Sequence, residues 1–211
     1  MSQVTPEYPL KLTIEYPDRK LNRLTSFFRI FVAIPILIVV ISLVGAVIGD
    51  NGSRESGWNS QYTTAGIVFL PLVLMLLFRQ KYPRWWFDWN LALLRFTTRV
   101  NAYIFLLRDE YPSTDEEQSV HLDFPYPDAR ALNRWLPLVK LLLAIPHIII
   151  LIFLSIAVLI SVIIAWFAIL FTGKYPRSLF DFIVGVMRWG LRIDMYAIIL
   201  ITDRYPPFSL S

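Results

Sequence analysis

From Leu141 to Phe171 the chain carries no Asp, Glu, Lys or Arg, and only Pro146, His147, Ser155 and Ser161 interrupt the apolar residues. Nothing else in the sequence restricts its fold so tightly. At about 1.5 Å per residue such a run makes a straight helix of about 46 Å, against a hydrocarbon layer of about 30 Å. Two shorter helices in a tight hairpin fit that thickness better. The spacing therefore predicts a hairpin with its turn between Leu154 and Ser161, with one long tilted helix as the competing arrangement. A second apolar run, Phe27 to Ile48, is long enough to cross once and contains Arg29 and Pro35. A third, Ala65 to Phe78, is shorter and stops at Arg79-Gln80-Lys81. Between these two, Gly49 to Gly57 reads as a flexible polar loop.

Composition agrees with a membrane location. The chain is 56% hydrophobic and 17% charged, where a soluble domain averages about 45–50% and about 25%. With no cysteine, a disulfide-stapled module and a cysteine-ligated metal site are excluded, and the apolar content excludes a disordered chain. The residues before Phe27 are polar or mixed, so the first run is expected to stay as an anchor rather than be cleaved as a signal peptide. With two hairpins, all of the 20 Lys and Arg except Arg54 fall on one side. The positive-inside bias then predicts a multi-pass protein of the bacterial cytoplasmic (inner) membrane with both termini in the cytoplasm.

The chain is written twice. Leu10 to Asp18 alternates apolar and polar residues, and Val120 to Asp128 does the same. Leu21-Asn22-Arg23 returns as Leu132-Asn133-Arg134, Ala33-Ile34-Pro35 as Ala144-Ile145-Pro146, and Lys81-Tyr82-Pro83-Arg84 as Lys174-Tyr175-Pro176-Arg177. Asp88, Arg95, Arg99 and Tyr103 match Asp181, Arg188, Arg192 and Tyr196, and the copies close on Asp109-Glu110-Tyr111-Pro112 and Asp203-Arg204-Tyr205-Pro206. We divide the chain into a first repeat (1–112), an acidic linker (113–119) and a second repeat (120–211). The expected fold is an all-α integral membrane protein built by tandem duplication. Each copy has a short cytoplasmic strand, a two-span hydrophobic hairpin and a long interfacial amphipathic helix, from roughly Trp85 to Leu107 or Leu179 to Ile201. A two-stranded ribbon is marginal alone, so the lead-in strands are expected to pair and to rest on the helices.

The third helix of each copy is where chemistry has room. At 100° per residue Asp88, Ala92, Arg95, Arg99 and Ala102 share one stripe, repeated by Asp181, Gly185, Arg188 and Arg192. An arginine near a helix centre costs about 2.5–3.5 kcal/mol on insertion, which an interfacial position relieves. Two roles compete. The arginines snorkel to head groups or pair with nearby aspartates, or the two stripes face each other and form a basic pocket with two aspartates for an anionic lipid or other ligand. Arg29, Lys140, Lys81, Arg84, Lys174, Arg177, Trp85, Trp86 and Trp135 are expected to anchor helix ends at the head-group level. Tyr8, Tyr16, Tyr82, Tyr111, Tyr126, Tyr175 and Tyr205 each precede proline, which pushes them out of helical geometry and punctuates the chain. His147 has Ile36 as its first-copy counterpart and no acidic or histidine neighbour in its run, so a satisfied or interfacial histidine is expected rather than a relay. Asp115-Glu116-Glu117 reads as a solvated connector.

No nucleophile elbow, glycine-rich phosphate loop or paired-histidine zinc motif is present. The sequence thus offers no catalytic residue, no metal ligand set and no cofactor, and nothing suited to nucleic acid. Its duplicated Ala-Ile-Pro and Lys-Tyr-Pro-Arg…Asp motifs resemble a bacterial multi-pass membrane family catalogued only as a domain of unknown function, over Tyr8 to Pro207. That resemblance implies a membrane location and a duplicated architecture, and hands over no active site. The expected function is that of a non-catalytic accessory or scaffold protein that packs against a larger membrane complex. Its partners would be membrane lipids, anionic ones above all, and other membrane subunits or a second copy. The alternative is a small transporter or lipid-handling protein with an anionic-ligand site at the seam between the repeats.

Overall fold

The structure, a computed structural model, describes residues 8–17, 20–45, 71–114 and 116–210. The polar loop at 49–57, the start of the third apolar run and Asp115 lie outside the described residues. In chain order come β1 (Lys11–Ile14), α1 (Arg23–Gly45), a π turn (Met75–Arg79), α2 (Arg84–Ile104), β2 (Val120–Asp123), α3 (Pro137–Thr172), α4 (Arg177–Ile193) and a second π turn (Asp194–Ile198).

The period-two alternation produces a two-stranded antiparallel ribbon with Leu12 opposite Leu122 and Ile14 opposite Val120. Those four residues face inward and are buried, while Lys11, Thr13, His121 and Asp123 face out. The ribbon is not left alone. Its inner face joins a core with Phe87 of α2 and Phe180, Ile183 and Val184 of α4, which supplies the support that two strands lack in water.

α3 corrects the hairpin. Its 36 residues form one unbroken helix through the 154–161 window, about 54 Å long. The reason is a single inner stripe. Lys140, Ala144, His147, Val158, Ser161, Ala165 and Ile169 are buried along it, with Leu151 and Leu154 half-buried between. These positions recur every three or four residues, so one face packs against protein from end to end. A turn at 154–161 would give up that packing. Pro35 and Pro146 both lie inside helices. Next to the bond that Pro146 cannot make, the Tyr205 hydroxyl donates to the Leu143 carbonyl at 3.1 Å.

Outside that stripe α3 is bare. Leu142, Phe153, Leu159 and Phe171 are 62–77% exposed, and Ile30 and Phe31 of α1 are 78% and 68% exposed. Two helices are thus long and apolar enough to cross a membrane, and only 22% and 17% of their most apolar windows are buried. The core helix of a soluble protein would be mostly covered.

α2 closes on Leu106, whose φ is +64°. The Leu107 N–H donates to the Ala102 carbonyl at 2.9 Å and the Leu106 N–H to that of Tyr103 at 3.1 Å, a Schellman closure with leucine where glycine is usual. Leu200 ends the second π turn at φ +61°. Both leucines are buried, at 3% and 0% exposure, so packing holds a backbone conformation that costs about 1–2 kcal/mol.

Candidate functional site

α2 and α4 each begin after an extended Tyr-Pro step, Pro83 and Pro176 standing at their N-caps with no side-chain cap. Just inside, Arg84 pairs with Asp88 at 3.4 Å and Arg177 with Asp181 at 3.5 Å, all four side chains more than half exposed. Exposed pairs of this spacing stabilise a helix by about 0.3–0.5 kcal/mol. The two arginines also stack on tyrosines across the molecule, Arg84 over the ring of Tyr126 at 5.0 Å and Arg177 over that of Tyr16 at 4.5 Å. Each of those tyrosines donates a 2.5 Å hydrogen bond, Tyr126 to the Tyr82 carbonyl and Tyr16 to that of Tyr175. The Tyr-Pro punctuation therefore also latches the chain.

The arginine stripe is largely committed to the protein's own backbone. Arg95 Nε donates to the Leu122 carbonyl at 2.8 Å, and its Nη2 lies 3.2 Å from the Asp123 carboxylate. Arg188 reaches the Leu12 carbonyl at 3.5 Å and that of Leu210 at 3.3 Å. One guanidinium thus holds each strand of the ribbon. Arg99 Nη1 donates to the Ser113 carbonyl at 2.8 Å and Arg192 Nη1 to that of Ser209 at 3.2 Å. Arg192 also lies 5.6 Å from the ring of Tyr8. Burial, and after it the like charge of Arg188, draw Arg192 below the ordinary guanidinium value. The stripe works as a clamp, and Asp88 and Asp181 belong to the helix starts rather than to it.

The expected anchors divide. Lys81 and Lys174 are exposed, and Trp85 and Trp135 are 64% and 69% exposed, whereas Trp86 is buried at 9%. Arg29 and Lys140 are corrected outright, since they are 3% and 0% exposed and do not snorkel outward. Arg29 is ion-paired with Asp109 and donates to the carbonyls of Tyr103 at 2.9 Å and Arg108 at 2.6 Å. Lys140 lies 2.7 Å from Asp203 and donates to the Thr202 carbonyl at 2.8 Å. The other oxygen of each carboxylate accepts a backbone N–H, from Asn22 at 2.9 Å and from Asn133 at 2.5 Å. A cation buried in a helix's first turns needs a fixed counter-charge, and Asp109 and Asp203 supply it where the chain returns. Sequence reasoning missed these two aspartates. Their signal was the similarity of Asp109-Glu110-Tyr111-Pro112 to Asp203-Arg204-Tyr205-Pro206.

His147 is fully buried. Its Nδ1 accepts from Trp189 Nε1 at 3.1 Å and its ring stacks on Phe208 at 3.9 Å. Accepting through Nδ1 puts the proton on Nε2, which has no partner among the described residues. Near the linker, partial burial pushes the Glu110 carboxyl up, but hydrogen bonds from Ser119 and Arg108 outweigh it and hold the group at about 2. Glu116 and Glu117 are exposed. Burial pushes the Asp194 carboxyl to about 7. Among the described residues no three His, Asp or Glu side chains gather to hold a metal ion.

Residues 135–209 match a family described as a domain of unknown function (DUF4389). That span begins at Trp135 and takes in α3, α4 and the chain to Ser209. No curated protein and no solved structure matches the chain.

Proposed function

We propose that this is a non-catalytic integral membrane protein of the bacterial cytoplasmic membrane, an accessory or scaffold subunit that packs against a larger membrane complex and holds lipid at its cytoplasmic face. One contrast carries the reading. The polar side chains of the stripe turn inward to carbonyls of the ribbon and of the segment near Ser209, while most of the apolar surface of α1 and α3 is left uncovered. Uncovered apolar surface of this extent marks contact with a membrane or with another protein. A molecule whose charged groups hold its own backbone, and whose outside is hydrocarbon, is built to be embedded and to be packed against.

The two halves are proposed as matched copies of one unit, related by a twofold axis. Support comes from contacts that occur in matched sets: Arg29–Asp109 and Lys140–Asp203, Arg84 on Tyr126 and Arg177 on Tyr16, Arg95 on β2 and Arg188 on β1. The last two sets cross between the halves, which makes the halves interdependent rather than two beads.

The test is purification from native membranes in mild detergent, with co-migrating subunits and lipids identified by mass spectrometry. Other membrane subunits in fixed ratio are expected. A lone dimer carrying stoichiometric anionic lipid would count against the scaffold role.

A further inference from the structure

Where the end of α2 meets α3 and α4, packing leaves a cavity of about 460 Å³. Its wall includes Phe105, Leu151, Val158, Ile183, Met187 and Gly190, and its one polar side chain is Ser155. The Ser155 hydroxyl already donates to the Ile152 carbonyl at 2.7 Å. No lining side chain therefore asks for a hydrogen bond, and a water placed there would have too few partners to stay. The volume falls within the range of about 300–1,000 Å³ typical of ligand pockets, and is roughly three times that of an engineered apolar void of about 150 Å³ that takes up benzene. Hydrocarbon is the chemistry that fits.

Position narrows the occupant further. The cavity lies against the middle of α3, about 25 Å from either helix end at 1.5 Å per residue. Beside it Ile152, Ile156 and Leu159 are 57%, 54% and 62% exposed, so it opens on the same apolar face that α3 presents outward. On the membrane reading above, on which this inference rests, the apolar tails of lipids are what lie against that face. The geometry points to a bound acyl chain of a bilayer phospholipid, inserted between the two halves where Phe105 of one faces Met187 and Gly190 of the other. Gly190 supplies the means of testing it. A Cβ added there meets nothing within 4 Å, so a larger side chain grows into the cavity without displacing the wall.

The full-length protein is placed in bilayers of phosphatidylethanolamine and phosphatidylglycerol. A small fraction of the phosphatidylglycerol carries a photoactivatable diazirine midway along one acyl chain, and crosslinks are mapped by mass spectrometry. Labelling is expected at Val186 and Met187, as well as at the outward-facing Phe153 and Ile160 of α3. In Gly190→Leu, or in Ser155→Leu, which fills the same space from α3, the α4 labels should fall roughly tenfold, because excluding even two methylenes is worth that factor. The Phe153 and Ile160 labels should not change. Wild-type protein labelled at Phe153 and Ile160 but not on α4 overturns the acyl-chain site alone. So does α4 labelling that survives both plugs. Absence of label at Phe153 and Ile160 as well overturns the membrane reading beneath it.

Discussion

Asp203→Ala is expected to lower stability by about 3–5 kcal/mol, because it leaves a buried ammonium without its counter-charge. Lys140 is 0% exposed. It keeps only the Thr202 carbonyl at 2.8 Å and the face of Tyr196 at 5.1 Å, neither of which repays taking a full charge out of water. The same change also orphans the Asn133 N–H, which the other Asp203 oxygen accepts. Lys140→Met combined with Asp203→Ala should recover most of the loss, since removing both charges of a buried pair is close to neutral when shape is kept. Thermal and denaturant unfolding of the purified protein in one detergent, read as a double-mutant cycle, checks it. A single-variant loss below about 1 kcal/mol, the size seen for exposed pairs, would mean that Lys140 reaches water after all.

Ile160→Pro is the second change with a large expected effect, about 3 kcal/mol or more. Ile160 is 54% exposed, so its side chain contributes little to packing and Ile160→Ala should cost far less. Proline there removes the bond to the Ile156 carbonyl and forces its ring against that turn. A hairpin turning between Leu154 and Ser161 would accept the proline readily. Helicity by circular dichroism and the unfolding midpoint, measured on both variants, distinguish the two arrangements: a large difference between Pro and Ala follows from a continuous α3, and equal behaviour from a turn.

Why α3 defeated a reading from length alone is physical. Hydrocarbon thickness favours two short helices, but it says nothing of what the inner face touches. The small and polar residues Ala144, His147, Ser161 and Ala165 lie on one stripe across the supposed turn, and that stripe is visible in the sequence once a single packed face is assumed. The ribbon was easier to read, because alternation at Leu10–Asp18 and Val120–Asp128 has no helical interpretation. Arg29 and Lys140 were found as matched residues, yet their partners stand about eighty and sixty residues further along, and spacing cannot say where the chain returns. The stripe arginines pose a harder limit. Their acceptors are mainly backbone carbonyls at Leu12, Leu122, Ser113 and Ser209, a group that every residue carries, so no residue type announces them. Trp86, expected among the interfacial aromatics, is turned inward by the same geometry that leaves Trp85 and Trp89 outside.

Because the chain contains no cysteine, a thiol can be placed at one position at a time. Phe153→Cys and Ile160→Cys on the bare face of α3, with Tyr111→Cys as an exposed reference, would be treated with a membrane-impermeant maleimide in opened native vesicles, before and after detergent denaturation. If the outer face of α3 lies in hydrocarbon, position 111 reacts at once, and positions 153 and 160 react only when the bilayer is dissolved. Reaction at all three positions at the same rate in intact bilayer would put that face in water and contradict the embedding from which the rest follows.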